Sequence, residues 1–447
     1  MRVCTCHGSH LVLLLLLNFL LASWSNAEPG GDIDIDPSKP VLTCDAILEF
    51  AFPDLCEMEV TQSSVEVRGL KMVYWLYRNK AVKSSKTPIV MIHGGPAFGH
   101  NYILPMKQQA CRGRDVVFYD QVGAGLSDKP NLTDAPWLLT IDYYTEEVRA
   151  IVQEMGWSRF HIFGSSWGTI VGQAYGFKQD KRVESIVLSG PLSDGPSYIE
   201  AQWDEYQGNL GSLPFHVQAV LRKLGKEAAW TSPLYLAEDN ILTFFFTTRT
   251  TPLASCFADA APTSNISKEI YVKMQGPSEF SVGGVLAATN FTPRLKEIKV
   301  PVLLTHGKYD TMRPPVIDAM ASMLPKVWRA LLPRSGHCSM IDDPKLMNDV
   351  VGDFYNSVEV DGGESFKIPD EAVDPGKVPL GPLEAPKPSD LGLAEAPLSL
   401  AAVAGALPWP QLGLTLFLGM VLGAGLSAIA LRSSKLHGVS LNEPLGA

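Results

Sequence analysis

The stretch Gly164-Ser165-Ser166-Trp167-Gly168 decides the fold of this 447-residue chain. It follows the apolar run His161–Phe163 and precedes Thr169–Phe177, which is compatible with a helix. A serine in a glycine-flanked turn between strand and helix has a strained backbone and an exposed hydroxyl, and the glycines let neighbouring backbone pass close to it. We therefore predict that Ser166 is a nucleophile and that the N–H of Trp167 points toward an oxyanion.

Other short apolar runs along the chain predict the remaining strands. Because these runs are continuous rather than alternating, they indicate strands buried on both faces, and hence a mostly parallel sheet flanked by helices. The segment from Ser63 to Asn79, around Arg68-Gly69, predicts an antiparallel hairpin at the start of the sheet. The strands predicted after it are Ile89–Ile92, Val116–Tyr119, His161–Phe163, Ile186–Leu188, Val302–Thr305 and Ala330–Leu332.

The composition of the chain changes several times and predicts its division into segments. A region rich in Trp, Tyr and Phe interrupts the strand pattern and indicates an inserted helical cap. A later Pro-rich, acidic stretch cannot bury enough apolar surface to fold alone. The predicted segments are a signal peptide (1–27), a first core part (28–191), a helical cap (192–295), a second core part (296–358), a tether (359–410), a transmembrane helix (411–431) and a cytoplasmic tail (432–447).

The two ends of the chain predict a single-pass type I membrane protein. Arg2, the apolar run Leu11–Leu21 and Ser25-Asn26-Ala27 match the three regions of a signal peptide; an uncleaved anchor is the alternative. The charge-free run 411–431 has the length of a membrane span, and the cations after it place the catalytic region in the lumen or outside the cell. A glycolipid-anchor signal is the alternative there.

A secretory route also predicts glycosylation and disulfides. The sequons are Asn131, Asn265 and Asn290. After signal removal five cysteines remain, which leaves one thiol free or intermolecular. Cys44 and Cys56 lie close enough in sequence to close a small loop, so we expect these two to pair first.

Two residues after later strands complete the expected set for a serine nucleophile. Asp310 follows Val302–Thr305 and His337 follows the last strand, in the order Ser, Asp, His that this strand–turn–helix architecture uses. Upstream, the glycines of His93-Gly94-Gly95-Pro96 follow a strand and allow close approach to a carbonyl, which makes Gly95 N–H a candidate oxyanion donor. Other acids and histidines have ordinary explanations: Asp318, Asp342 and Asp343 as solvated or capping residues, His161 and His306 as core groups within strands.

Together these motifs resemble the proline iminopeptidase family of α/β-hydrolases, which includes the archaeal tricorn-interacting aminopeptidases. The resemblance spans about 65–355. The stretches that carry it are His93-Gly94-Gly95-Pro96, Tyr119-Asp120-Gln121 through Gly125-Leu126-Ser127, Gly164 to Gly168, Met274-Gln275-Gly276-Pro277-Ser278-Glu279-Phe280, Gly307 to Asp310 and Ser335-Gly336-His337.

The resemblance implies an α/β-hydrolase fold with a helical cap, a Ser166, Asp310 and His337 triad, and oxyanion donors at Gly95 and Trp167. It also implies that Glu279 binds the free amino terminus of a substrate. The chain departs from the family pattern twice. Ala97 replaces the last glycine of His-Gly-Gly-Pro-Gly, and Thr311 replaces the acid that follows the triad Asp in the tricorn-interacting members.

The expected function is removal of N-terminal residues from short peptides or amino-acid amides through an acyl-enzyme, without metal or organic cofactor. A carboxylesterase or lipase-like hydrolase is the alternative within the same chemistry, and a membrane-tethered binding protein without turnover is the alternative outside it. A net charge of −10 provides no basic surface, so nucleic acid is not expected as a partner. The sequence does not determine the oligomeric state.

Overall fold

The computed structural model describes residues 42–205, 207–250 and 252–375, and these form a single eight-stranded sheet with helices on both faces. The strand order is β1-β2-β4-β3-β5-β6-β7-β8. The first two strands run antiparallel to their neighbours, and every later pair is parallel. The strands are β1 Met58–Val67, β2 Leu70–Asn79, β3 Ile89–Ile92, β4 Val116–Tyr119, β5 Phe160–Ser165, β6 Val183–Ser189, β7 Val302–Gly307 and β8 Val327–Leu332.

The predicted strands are confirmed, two of them with the same bounds. The opening hairpin turns at Arg68 and Gly69, both with positive φ, at 51° and 75°. Alternate residues of β3 and β4 belong to different core clusters, because successive side chains of a strand point to opposite faces. Val90 and Val117 pack on one face, whereas Met91 and Phe118 pack on the other. The continuous apolar runs are therefore strands that are buried on both sides.

The helices complete the layers around the sheet. The α-helices are α1 Cys44–Ala51, α2 Ile141–Glu154, α3 Trp167–Gly176, α4 Gly195–Gln202, α5 Phe215–Lys226, α6 Pro233–Leu242, α7 Ser255–Ala260, α8 Asn265–Met274, α9 Pro314–Met323, α10 Ser339–Asp342 and α11 Pro344–Asp361. The described 3-10 helices are His100–Arg112, Pro136–Leu139, Val285–Ala288 and Thr292–Glu297, and Thr243–Thr247 is a π-helical turn.

The segment between β6 and β7 forms the expected helical cap. It contains α4 to α8 and adds no strand to the described sheet. A separate apolar cluster holds it together, with Leu221 of α5, Leu242 of α6 and Phe280 among its members. Tyr309, next to Asp310, belongs to the same cluster, so the cap packs directly on the loop after β7.

The structure corrects the expected cysteine pairing. Cys44 bonds to Cys256 and Cys56 bonds to Cys111, with Cα–Cα distances of 5.7 and 5.5 Å. Proximity in sequence was the wrong guide, because Cys44 lies at the start of α1, which docks against α7 of the cap. Cys338 is buried and free.

The folded core extends past the predicted boundary at residue 358. Helix α11 continues to Asp361, and the Glu359 carboxylate contacts Arg114 and His161 beneath the sheet. Beyond the helix Phe366 is buried, and Val373 exchanges backbone hydrogen bonds of 2.8 and 2.9 Å with Leu331 of β8. The first part of the predicted tether is thus an extension of the domain.

The predicted membrane attachment needs correction. Within the ranges that the structure describes, no helix combines the length and the apolar character that crossing a bilayer requires. The segments 1–27 and 411–431, on which the prediction rested, lie outside the described residues. No described helix supports a type I membrane protein with a luminal or extracellular catalytic domain, and we withdraw that assignment with its membrane partner. The signal-peptide and glycoprotein assignments came from the same secretory argument and are withdrawn with it.

Candidate active site

Ser166 occupies a sharp turn between β5 and α3. Its φ of 55° and ψ of −123° are unusual for a residue with a side chain, and such strain persists only where the surroundings hold it. Its N–H donates to Ser189 O at 2.9 Å, and Thr169 donates to Ser166 O through its N–H at 2.8 Å and its hydroxyl at 2.6 Å. The turn is therefore fixed on both sides of the serine.

The two glycines around Ser166 are required by packing. A Cβ at Gly164 would collide with the backbone oxygen of Gly168, and a Cβ at Gly168 would collide with that of Ile92 in β3. The motif therefore has glycine at these two positions because the backbone of a neighbouring segment passes too close to each of them for a side chain.

His337 and Asp310 form a buried hydrogen-bonded pair. His337 Nδ1 lies 2.6 Å from Asp310 Oδ1, and this oxygen also accepts from Met312 N at 2.9 Å. His337 Nε2 has no partner among the described residues, and the ring lines a cavity that Ser166 also lines. Gly190, with φ of 58°, makes room for the ring, since a Cβ there would lie 2.6 Å from His337 Nδ1.

The charges around His337 favour its protonated form. Burial alone would lower the pKa of His337, but the charge and hydrogen bond of Asp310 and the charge of Glu279 raise that pKa to about 9. Burial opposes ionisation of Asp310 as well, and the His337 charge and hydrogen bond nevertheless lower the pKa of Asp310. The two groups therefore stabilise each other as an ion pair.

The loop after β3 brings backbone N–H groups beside Ser166. A Cβ at Gly94 would lie 2.5 Å from Ser166 Cβ. Gly94 N–H donates to the Tyr102 hydroxyl at 2.7 Å, whereas Gly95 N–H has no acceptor among the described residues. Trp167 N–H is one of the first amides of α3, which have no partner within a helix. Both predicted donors thus remain available next to the serine.

The same loop explains one departure from the family pattern. Ala97 has φ of 68°, a left-handed conformation that favours glycine. The family glycine therefore matches a real backbone requirement, and here alanine adopts the conformation at a cost in strain.

Gln121, which lies in one of the stretches that carry the family resemblance, connects the His93 loop with Trp167. Gln121 N donates to His93 Nε2 at 3.0 Å, and Gln121 Nε2 donates to His93 O at 3.0 Å. Gln121 Oε1 accepts from the indole of Trp167 at 2.9 Å. Burial lowers the pKa of His93 to about 4, so the ring stays neutral and accepts. This network fixes the two loops that carry Gly95 and Trp167.

Glu279 lies at the cap side of the same cavity. Its Oε1 accepts from the Tyr198 hydroxyl at 3.0 Å and from the Thr311 hydroxyl at 3.3 Å. Burial and the charge of Asp310 raise the pKa of Glu279 above its usual value, although the charge of His337 and these two hydrogen bonds oppose the increase. The structure thus brings Glu279 together with Ser166 and His337, which are distant from it in sequence.

The cavity has a volume of about 570 Å³ and a largely apolar wall. Two further charged side chains line it, neither of which the sequence predicted as a site residue: the cationic Lys268 of α8 and the acidic Asp239. Asp239 of α6 lines it, and Asp239 Oδ1 is buried without a partner among the described residues. Burial raises the pKa of Asp239. The apolar wall includes Phe98, Tyr102, Phe244, Leu253, Phe257, Tyr271 and Val272.

The described parts of the chain contain no group of three or more His, Cys, Asp or Glu side chains arranged to hold a metal ion.

Comparison with known proteins agrees with this architecture. Residues 87–344 match the family model described as alpha/beta hydrolase fold. The proline iminopeptidase of Heyndrickxia coagulans is 32% identical over 298 residues, which cover 67% of this chain and 99% of that protein. The proline iminopeptidase of Thermoplasma volcanium is 26% identical over 293 residues, which cover 65% and 95%.

Solved structures are similar in the same region. The proline iminopeptidase of Mycobacterium smegmatis superposes with a TM-score of 0.60 at 25% identity, covering 67% of this chain and 99% of that one. VinJ has a TM-score of 0.62 at 23% identity, covers 67% and 99%, and supports the fold alone. The predicted fold is confirmed, and the chain is a serine hydrolase. It belongs to the proline iminopeptidase family of α/β-hydrolase-fold enzymes.

Proposed function

We propose that this hydrolase removes N-terminal residues from short peptides or amino-acid amides. The observation that carries the proposal is the position of Glu279, a carboxylate lining the same cavity as Ser166 and His337. A carboxylate in a partly dehydrated cavity attracts an ammonium group more strongly than one in bulk water. A substrate with a free amino terminus would therefore be anchored close to the nucleophile.

In the proposed reaction, Ser166 Oγ attacks the carbonyl carbon while His337 Nε2 takes the hydroxyl proton. The N–H groups of Gly95 and Trp167 stabilise the oxyanion that forms. The C–N bond then breaks as His337 gives the proton to the leaving amine, which leaves an acyl ester on Ser166. His337 next deprotonates a water molecule that hydrolyses this ester, and Asp310 holds the imidazole in the required tautomer throughout.

A second carboxylate supports recognition of a cation. Asp239 lines the cavity with one oxygen buried and unpaired, and its charge and that of Glu279 both act on the Tyr271 hydroxyl. We propose that Asp239 adds a second attraction for the substrate ammonium. It would supply, from α6, part of the negative charge that Thr311 does not provide.

The test is a matched set of three substrates with one side chain: the free-amine amide, its N-acetylated form, and a neutral acyl ester. The proposal expects the free-amine amide to be preferred over the N-acetylated form by about 10- to 100-fold in kcat/KM, the worth of one hydrogen bond to a charged group. One such set of substrates should have proline as the N-terminal residue. Equal or better turnover of the blocked amide would overturn the proposal.

An ester hydrolase is the second candidate, and the aromatic wall of the cavity favours it. Phe244, Phe257 and Tyr271 would accommodate an apolar acyl group without help from a carboxylate. The same three substrates separate the candidates, because an esterase would prefer the neutral ester and be indifferent to acetylation.

A further inference from the structure

A strap of the cap, residues 246–250, is held by one acid from outside the cap. Asp342 Oδ1 accepts from the backbone N–H groups of Arg249 at 2.7 Å and Thr250 at 3.1 Å. The same oxygen accepts from the hydroxyls of Thr248 at 3.0 Å and Thr250 at 2.9 Å. Because Asp342 Oδ1 accepts from four donors of the strap, Asp342 is the main polar attachment of the strap among the described residues.

The other oxygen of Asp342 binds the loop of the proposed base. Asp342 Oδ2 accepts from Gly336 N at 2.8 Å, one residue before His337. The strap contacts His337 directly as well, because His337 N donates to Phe246 O at 2.8 Å. A single carboxylate therefore bridges two segments that already share a backbone hydrogen bond.

The contact between strap and loop is too close for a side chain at residue 336. A Cβ on Gly336 would lie 2.7 Å from Phe246 O. Cys338 N also donates to Thr247 O, at 2.7 Å. The strap begins beside the substrate cavity, since its residue Thr247 lines the cavity together with Thr243 and Phe244, which directly precede the strap. One continuous segment thus runs from the cavity wall to the backbone of His337.

We propose that Asp342 is a positioning residue that locks the cap strap onto the His337 loop and so holds the imidazole in line with Asp310 and Ser166. Hydrogen bonds to an ionised carboxylate are stronger than those to a neutral acceptor, so a carboxylate is suited to hold two segments together. This inference rests on the proposed role of His337 as the base.

Asp343 provides a matched control for Asp342. It is the neighbouring residue, it is buried, and it caps α11 by accepting from Leu346 N at 3.3 Å. Its other oxygen pairs with Arg334 at 2.7 Å. Asp343 therefore makes structural contacts of a similar kind but has no hydrogen bond to the strap or to Gly336 among those described.

The test measures how fast a fluorophosphonate labels the full chain as a function of pH, for wild type, Asp342→Asn and Asp343→Asn. Such labelling needs no knowledge of the natural substrate. Asp342→Asn should label about 10- to 100-fold more slowly, the scale of a misplacement of about 1 Å at a reacting group. Asp343→Asn should stay within about threefold of wild type.

The midpoint of the pH profile separates positioning from a general loss of folded protein. The charged side chains that face His337 are Asp310, from the loop after β7, and Glu279, from the cap. A loosened imidazole loses part of its contact with Asp310, so the midpoint of Asp342→Asn should move toward lower pH. A smaller folded fraction would reduce the rate at every pH without moving the midpoint.

The proposal is overturned if Asp342→Asn is labelled at the wild-type rate or if the midpoint of its pH profile does not move. It is also overturned if the labelling rate of Asp343→Asn falls as much as that of Asp342→Asn. If Asp342→Asn does not fold, Thr248→Val with Thr250→Val replaces it, since this pair removes only hydroxyl donors and should shift rate and midpoint in the same directions. Failure of the proposed triad would look different, because wild-type protein would then not be labelled at Ser166. Failure of the aminopeptidase proposal alone would leave this labelling unchanged and would appear only in the comparison of the three substrates.

Discussion

The Thr311 hydroxyl lies 3.3 Å from Glu279 Oε1 and 3.4 Å from Asp310 Oδ1, so one small side chain connects the proposed amine ligand with the carboxylate beside His337. In the family pattern that the sequence resembles, the tricorn-interacting members have an acid at this position. In this chain the position supplies a hydroxyl donor to Glu279 instead of a second negative charge, and Asp239 brings its charge from a different element.

Removing that donor should weaken binding of the substrate amine. We expect Thr311→Val to lower kcat/KM for a free-amine amide about fivefold, because loss of one hydrogen bond of about 1 kcal/mol leaves the charge of Glu279 less stabilised. Turnover of a neutral ester is the control and should change by less than about twofold. An equal loss with both substrates would show that Thr311 acts on the triad instead.

The pH dependence should reveal an unusually basic catalytic histidine. His337 must be neutral to accept a proton, and its pKa is raised to about 9, so labelling by a fluorophosphonate should increase as pH rises, with a midpoint well above 6.5. Glu279 contributes to this increase in pKa, so Glu279→Gln should move the midpoint to lower pH. A wild-type midpoint near 6.5 would contradict this electrostatic account.

Asp310 should be essential for orienting His337. We expect Asp310→Asn to reduce kcat by about three to four orders of magnitude while the protein remains folded, because an amide favours the wrong tautomer of the imidazole. Circular dichroism and thermal unfolding provide the control for folding. A variant that retains more than about a tenth of wild-type kcat would exclude Asp310 from the proposed role.

Much of the sheet could be predicted from the sequence, because each strand is indicated by a short apolar run of its own residues. Ile89–Ile92 and Val116–Tyr119 are four-residue apolar runs with few alternatives to a buried strand, and the structure gives both with those bounds. Ser166, Asp310 and His337 each follow such a run, and the carboxyl ends of parallel strands meet at one edge. Their proximity followed from topology alone.

The features that could not be predicted from the sequence, such as the roles of Asp342 and Asp239, depend on contacts between segments that are distant in the chain. In sequence Asp342 is an acid at the end of a short helix, and only the strap some 90 residues earlier gives it a second role. Asp239 lies on an amphipathic cap helix, where most acids face solvent. Phe366, Ile368 and Val373 are scattered without a regular period through an otherwise polar stretch, which is too little to indicate that the domain continues.

The two disulfides should differ in their effect on stability and on substrate binding. Cys44–Cys256 closes 212 residues and Cys56–Cys111 closes 55, so replacing the first pair with serine should cost about 1 kcal/mol more in free energy of unfolding. Only the first pair holds α7, whose Phe257 lines the cavity, so only its loss should raise KM. Denaturant titration and steady-state kinetics check both effects. Equal KM values in the two variants would disprove the second expectation.

The most direct test of the proposed aminopeptidase activity is the effect of Glu279→Gln on two substrates measured side by side. For a free-amine amide we expect kcat/KM to fall about 10- to 100-fold, since a hydrogen bond to a charged group is worth about 1.5–3 kcal/mol. For a neutral acyl ester with the same side chain, compared at a pH above the labelling midpoints of both proteins so that the shifted pKa of His337 does not contribute, we expect almost no change. If the amide is cleaved as fast by Glu279→Gln as by wild type, or both activities fall together, Glu279 does not bind the substrate amine and the aminopeptidase account is wrong.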